Sequence, residues 1–208
     1  MGSTLIQHIG AKIYKGSIWH GRRSEKTIYL TFDDGPHPSI TNEVLSILDK
    51  YSAKATFFCV GKNLEKHSEV ANLIQQKEHL IANHTWSHPN GWFTKSYDYI
   101  LDVKKGMEIS HSYLFRPPYG KIKYSVYYKL KLDGIKTIFW DNITCDYDKR
   151  TSPQSCFKNT LNGVKNGSII VFHDSEKAAK NMLYTLPLLL EYLSEKEYSF
   201  KHLGSLVG

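Results

Sequence analysis

Two carboxylates stand side by side at Asp33 and Asp34, inside the stretch TIYLTFDDGPHP, and two histidines stand four residues apart at His84 and His88, inside NHTWSHPN. Adjacent anions repel each other, so a nearby cation is the simplest reason to keep them together. Two histidines at i and i+4 on a helical turn would face one side, within reach of a single divalent metal. One carboxylate would complete that ligand set. The other, close but uncoordinated, could accept a proton from an activated water. The plainer alternatives are an Asx-turn or helix cap before Pro36 and a pair of surface histidines on a helix.

Such groups work only if the fold brings them together. β-rich runs at Thr27–Phe32 and Ala55–Val60 alternate with helical spacing of apolar residues at Ile40–Lys50 and Asn63–Gln76. Further short strands are expected at Leu80–Ala82, Leu114–Arg116, Thr137–Trp140, Ser168–Phe172 and Ser199–Lys201, with helices near Tyr97–His111, Ile122–Leu132, Pro153–Leu161 and Ala178–Ser194. This alternation predicts an α/β fold with a parallel sheet, either doubly wound or closed into a barrel. Loops at the strand ends of such folds converge on one face. Asp33-Asp34, His84 and His88, Arg116, Asp141 and Asp146, and His173-Asp174 all fall at those ends. Packing alone does not explain this pattern, because it fills strands with apolar residues and scatters charge over the surface.

Five segments in order, TFDDGPHP, HTWSH, RPPYG, WDNITCDYD and IIVFHD, resemble the five motifs of the NodB-homology polysaccharide deacetylases, carbohydrate esterase family 4. The resemblance covers roughly Lys26 to Gly204. It implies a distorted (β/α) barrel with about seven parallel strands, matching the seven strand candidates. It also implies that Asp34, His84 and His88 hold the metal and that Asp33 is the catalytic base. Arg116 would pair with Asp33, and Asp146 would orient His173, the general acid. Pro118 and Tyr119 of RPPYG would lie at the substrate and oxyanion position, the latter through its backbone N–H. Three positions depart from the usual pattern: Tyr147 replaces Trp, Val171 replaces Leu, and Glu78 stands where Gly is common. Tyr147 and Val171 would change the walls of the acetyl and sugar pocket.

The implied activity is metal-dependent removal of acetyl groups from a polysaccharide, with N-acetylglucosamine units of peptidoglycan or a chitin-type glycan as the leading substrate. An O-acetyl xylan esterase and a catalytically silent glycan-binding relative are the alternatives. Zinc is the expected ion, with cobalt, nickel or manganese also compatible with two histidines and a carboxylate. The same ligand set suits a non-haem iron oxygenase, which would instead require a β-rich double sheet. Asp146 is expected to raise the pKa of His173, keeping the acid protonated while Asp33 acts as base. Asp141 is the other candidate partner for His173, and Asp174 reads as a helix N-cap. Trp86, Trp92, Phe93 and Tyr119 suit either sugar stacking or core packing.

At 208 residues the chain fits one domain, expected over residues 26–208, with residues 1–25 as an N-terminal extension whose Met-Gly-Ser start resembles an expression tag. A composition of 41% hydrophobic and 23% charged residues, with no long apolar run, argues against a transmembrane segment. The net charge of +7 mildly favours an anionic envelope polymer as partner; the basic residues are scattered, and nucleic acid is not expected. A monomer is expected. The compartment stays open: cell envelope or extracellular if a leader has been removed, cytoplasmic otherwise. Cys59 reads as a core residue, while Cys145 and Cys156 are candidates for a bridge.

Overall fold

The computed structural model describes residues 9–207. Strand and helix alternate as β1 (Thr27–Asp33), α1 (Ile40–Lys50), β2 (Ala55–Cys59), α2 (Gly61–Lys66), α3 (Ser68–Gln76), β3 (Leu80–Asn83), α4 (Ser96–Ser110), β4 (Leu114–Phe115), α5 (Tyr124–Leu132), β5 (Lys136–Thr137), β6 (Asn142–Ile143), α6 (Pro153–Gly163), β7 (Ile169–His173), α7 (Ala179–Glu195), β8 (Ser199–Phe200) and α8 (Gly204–Val207). A 3-10 turn, Pro118–Gly120, follows β4. Seven strands form one row in the order β5-β4-β3-β2-β1-β7-β6, and β8 pairs with the start of β1. Every strand pair is parallel, as the alternating pattern requires. This is the half-barrel of a distorted (β/α) barrel, and it is incompatible with the β-rich double sheet of the oxygenase reading.

β1 lies at the centre of the sheet, and all seven of its residues are buried. A central parallel strand is covered on both faces, which explains its nearly continuous apolar run. Phe32 stacks between Phe57 and Phe172, with ring centroids 5.0 and 5.7 Å away. Each such ring contributes roughly 1.5–3 kcal/mol by leaving water. Helices α1 and α7 add Val44, Leu45, Leu48, Leu186, Leu189 and Leu190 to the same core.

The row does not close on itself through β5 and β6. Residues 17–21 occupy the seam instead. Ile18 N–H donates to Thr137 O and Phe139 N–H donates to Ile18 O, while Gly21 N–H donates to Gly167 O ahead of β7. Trp19 stacks on Phe139 at 4.3 Å, so the segment is held by packing as well as by backbone bonds.

Several elements differ from expectation. The single helix expected over residues 63–76 is broken at His67, whose φ of −127° and ψ of 50° are not helical. Leu64 and Val70 would lie on different faces of a straight helix, and the break lets both point into the core. The two-residue strand β6 pairs with Ile170 and Val171 and was not foreseen, because its length gives no period to read.

Candidate metal and acid-base site

Register sets the site. Asp33 at the end of β1 is the cross-strand partner of His173 at the end of β7, and Asn83, just before His84, is the partner of Phe115, just before Arg116. Four polar groups therefore leave the sheet at the same edge. There Asp33, His84 and His173 line a cleft of about 240 Å³ with Asp34, His88, Pro117, Tyr119, Gly120, Trp140, Ile143, Tyr147, Val171 and Lys177, while Arg116 stays buried behind it.

On one side, Arg116 is fully buried and its Nη1 donates to both Asp33 Oδ1 and Thr31 Oγ1 at 2.7 Å, while Nη2 donates to Phe139 O at 3.2 Å. Its guanidinium also lies 4.0 Å from the centre of the Phe58 ring. Asp33 is thus fixed by a charge-assisted bond at the end of a rigid strand. Asp146 holds His173 by two contacts: its Oδ1 lies 2.7 Å from Nδ1, and its Oδ2 accepts the backbone N–H at 2.8 Å. Burial opposes the charged imidazole, but Asp146, with Asp33 and Asp34 behind it, outweighs burial and raises the His173 pKa to about 9. Nδ1 is committed to Asp146, which leaves Nε2 available to the cleft.

On the other side, Asp34, His84 and His88 each offer one ligand atom, and these atoms lie within 4.8 Å of one another. His88 Nε2 is 3.1 Å and His84 Nε2 3.8 Å from Asp34 Oδ1. His84 Nδ1 meets Arg116 O at 2.8 Å, so the proton belongs on Nδ1 and the Nε2 lone pair faces Asp34. Burial pulls the His84 pKa down to about 4, which keeps the ring neutral, as a ligand must be. Burial raises the Asp34 pKa, but the contact with His88 and the charges of His84 and His173 outweigh it and hold the carboxyl below its usual range. One carboxylate and two imidazoles at this spacing fit a divalent metal.

The histidine pair does not sit on a helix, contrary to the reading of the H-x-x-x-H spacing. Residues 84–90 form an irregular loop in which Thr85 and His88 have φ of 67° and 60°. Asp102 on α4 shapes that loop: its carboxylate accepts the N–H groups of Trp86 and Ser87 and the hydroxyl of Ser87. Thr85 Oγ1 accepts the His88 N–H. The two imidazole centroids end 5.0 Å apart.

Asp174 is not a helix cap. Its Oδ1 accepts the Gly35 N–H at 3.0 Å and its Oδ2 accepts the Thr41 hydroxyl at 2.6 Å, which braces the loop carrying Asp34. Burial pushes its pKa up to about 7, against the bonds from Thr41 and Gly35. A Cβ on Gly35 would fall 2.1 Å from Asp174 Oδ2, so only glycine fits there. Asp141 is also excluded as the partner of His173, since it accepts from Arg23 and from the Ile169 N–H. Cys59, Cys145 and Cys156 are free thiols, so the candidate bridge is not made.

The profile of the polysaccharide deacetylase family matches residues 20–138. The chain belongs to the polysaccharide deacetylase family. A peptidoglycan-N-acetylglucosamine deacetylase of Bacillus cereus is 31% identical over 195 residues, covering 91% of this chain and 92% of that protein. A chitooligosaccharide deacetylase of Azorhizobium caulinodans is 32% identical over 162 residues, covering 73% of this chain and 75% of its own length. Among solved structures, the Bc1960 peptidoglycan N-acetylglucosamine deacetylase, in complex with a naphthalenyl-N-oxidanyl-benzamide, superposes with a TM-score of 0.87 at 28% identity and covers 92% of both chains.

Within this deacetylase, the cleft departs from the sequence reading in detail. Both prolines of RPPYG are buried, and Pro117 rather than Pro118 lines the cleft. Tyr119 sits at φ 60° with its ring edge-on to His88 at 4.8 Å, and Tyr147 and Val171 both form walls. Trp92 and Phe93 are exposed outside the cleft, and Trp86 lies between Lys62 and Lys105. Trp140, Ile143 and Lys177 also line the cleft; Trp140 and Ile143 both lie within the fourth motif, WDNITCDYD, which is the signal that points to them. Glu78, where the family commonly has glycine, sits at φ 58°, the left-handed region that glycine fits best, with its side chain turned to Lys54.

Proposed function

We propose that this chain is a zinc-dependent N-deacetylase acting on N-acetylglucosamine units of a peptidoglycan or chitin-type polysaccharide. The observation that carries the reading is the unequal treatment of two neighbouring aspartates. Asp33 is ion-paired to a buried arginine, while Asp34 faces two histidines. Asp34, His84 and His88 would hold the ion. When bound, a divalent ion there lowers the pKa of water and polarises the acetyl carbonyl.

The chain's own residues supply the rest. Asp33 takes the proton from the attacking water, and Arg116 keeps the receiving carboxylate in place. As the carbonyl oxygen becomes anionic, the Tyr119 N–H, presented by the left-handed turn, donates to it. His173, kept protonated by Asp146, delivers a proton from Nε2 to the departing nitrogen as the C–N bond breaks. Acetate and a free amine leave. The apolar walls from Trp140, Ile143 and Val171 fit the acetyl methyl, and the N-acetylglucosamine assignment follows the peptidoglycan-N-acetylglucosamine deacetylase of Bacillus cereus and the chitooligosaccharide deacetylase of Azorhizobium caulinodans.

The test is acetate release by zinc-loaded protein from N-acetylated glucosamine oligomers, peptidoglycan and O-acetylated xylan. Release from the first two supports the proposal. Release from xylan alone replaces it with O-acetyl esterase activity, and no release from any of them overturns it.

A further inference from the structure

We propose that Lys177 and Tyr147 form a carboxylate-recognising subsite at the rim of the cleft, so that the preferred glycan carries an acidic substituent on or next to the acetylated sugar. The inference rests on the deacetylase reading and narrows its substrate class.

Lys177 lines the same cleft as Asp33, Asp34 and His173. Its ammonium lies 5.3 Å from the centre of the Tyr147 ring, and that ring stands edge-on to His173 at 4.9 Å. The cation is therefore one aromatic ring away from the imidazole that faces the scissile nitrogen. Substituents on the reacting sugar, or on the sugar joined to it, fall within that span.

The acidic groups around Lys177 have other hydrogen-bond or ion-pair partners: Asp174, just before it in sequence, accepts from Gly35 and Thr41, and Asp148 feels the Lys177 charge without bonding to it. Asp148 is bonded by both carboxylate oxygens to Arg150, at 2.8 to 3.3 Å. Glu176 reaches the other way, to His37 at 3.5 Å. Among the described residues Lys177 forms no ion pair within 4.0 Å, and its contact is with an aromatic face. Such a face attracts the ammonium and restricts where it sits, but does not neutralise it. The rest of that wall, Trp140, Ile143, Tyr147 and Val171, offers an anion no charge. Asp33 is already matched by Arg116, and Asp34 faces the proposed ion.

A neutral glycan gives that ammonium no counter-charge beyond the field of Asp148. Lys177 is exposed at the rim, so a carboxylate on the adjoining sugar would add a modest, solvent-screened charge pair. The wild-type preference for the acidic glycan should therefore weaken as salt is raised.

The experiment compares two N-acetylated tetrasaccharides of equal length, one of N-acetylglucosamine only and one alternating with N-acetylmuramic acid, whose lactyl group supplies the carboxylate. Acetate release gives kcat/KM on each, and calorimetry gives the affinity of each, for zinc-loaded wild type, Lys177→Gln, Lys177→Glu and Lys177→Arg. The expected result is a fall of about 2- to 5-fold in the acidic-to-neutral kcat/KM ratio for Lys177→Gln, the scale of one exposed charge pair. Lys177→Glu should fall further and Lys177→Arg should keep the ratio, with affinities moving in parallel. An unchanged ratio in Lys177→Gln and Lys177→Glu overturns the subsite, whatever the absolute rates do. Loss of turnover on both glycans by the wild type would strike the deacetylase reading instead, and the affinity ratio would still judge the subsite.

Discussion

The two sides of the cleft are built differently. Asp33 and His173 stand on strand ends, each held by a buried counter-charge, Arg116 or Asp146. Asp34 and His88 stand on left-handed backbone, at φ 82° and 60°, in loops braced from a distance by Asp174 and Asp102. Groups that exchange protons gain from a fixed partner that sets their charge state. Groups that must gather around an ion gain from lone pairs left open, so the scaffold grips the backbone and leaves the side-chain tips alone. Backbone at positive φ in non-glycine residues costs on the order of 1–3 kcal/mol each, and the bracing bonds offset it.

The comparison is broken most severely on the ligand side. Removing the ion with a chelator should abolish acetate release, and zinc should restore it in the wild type but not in His84→Ala; activity surviving in metal-free protein would refute the ligand assignment. On the other side, Asp33→Asn should lower kcat by about 10²- to 10⁴-fold, the range for loss of a general base. Its zinc content, measured by elemental analysis, should be unchanged, which is what separates the two halves.

Smaller effects sharpen the distinction. Asp102→Ala loosens the loop that places His88 and should weaken zinc binding by about 10- to 100-fold, as indirect supports of metal ligands commonly do, with kcat at saturating zinc near the wild-type value. Asp146→Asn acts on charge. His173 is an acid whose pKa is raised to about 9, so activity should fall as pH rises towards that value and the proton is lost. Removing the Asp146 carboxylate lowers that pKa, and the alkaline limb of the kcat profile should move to lower pH. A limb that stays in place would show that another group titrates there.

Much of this arrangement was legible in the residues themselves. Asp33, His84, Arg116 and His173 each follow an apolar run, and a parallel sheet collects such ends on one edge. What stayed hidden depends on partners far away in the chain. The loop after His84 takes its shape from Asp102 on a later helix, so spacing alone suggested a helical turn where there is none. Asp174 sits next to His173 in sequence, but its carboxylate reaches across to Gly35 and Thr41, more than 130 residues earlier. Lys177 carries no local signature and reaches the cleft from the loop after His173.

The seam filled by residues 17–21 bears on the order of assembly. The backbone partners of Ile18 and Gly21 are Thr137, Phe139 and Gly167, far along the chain. Closing so large a loop is entropically slow, so this stretch should dock late, after the strands on either side have formed. Amide exchange at Ile18 and Gly21 would then report completion of the fold.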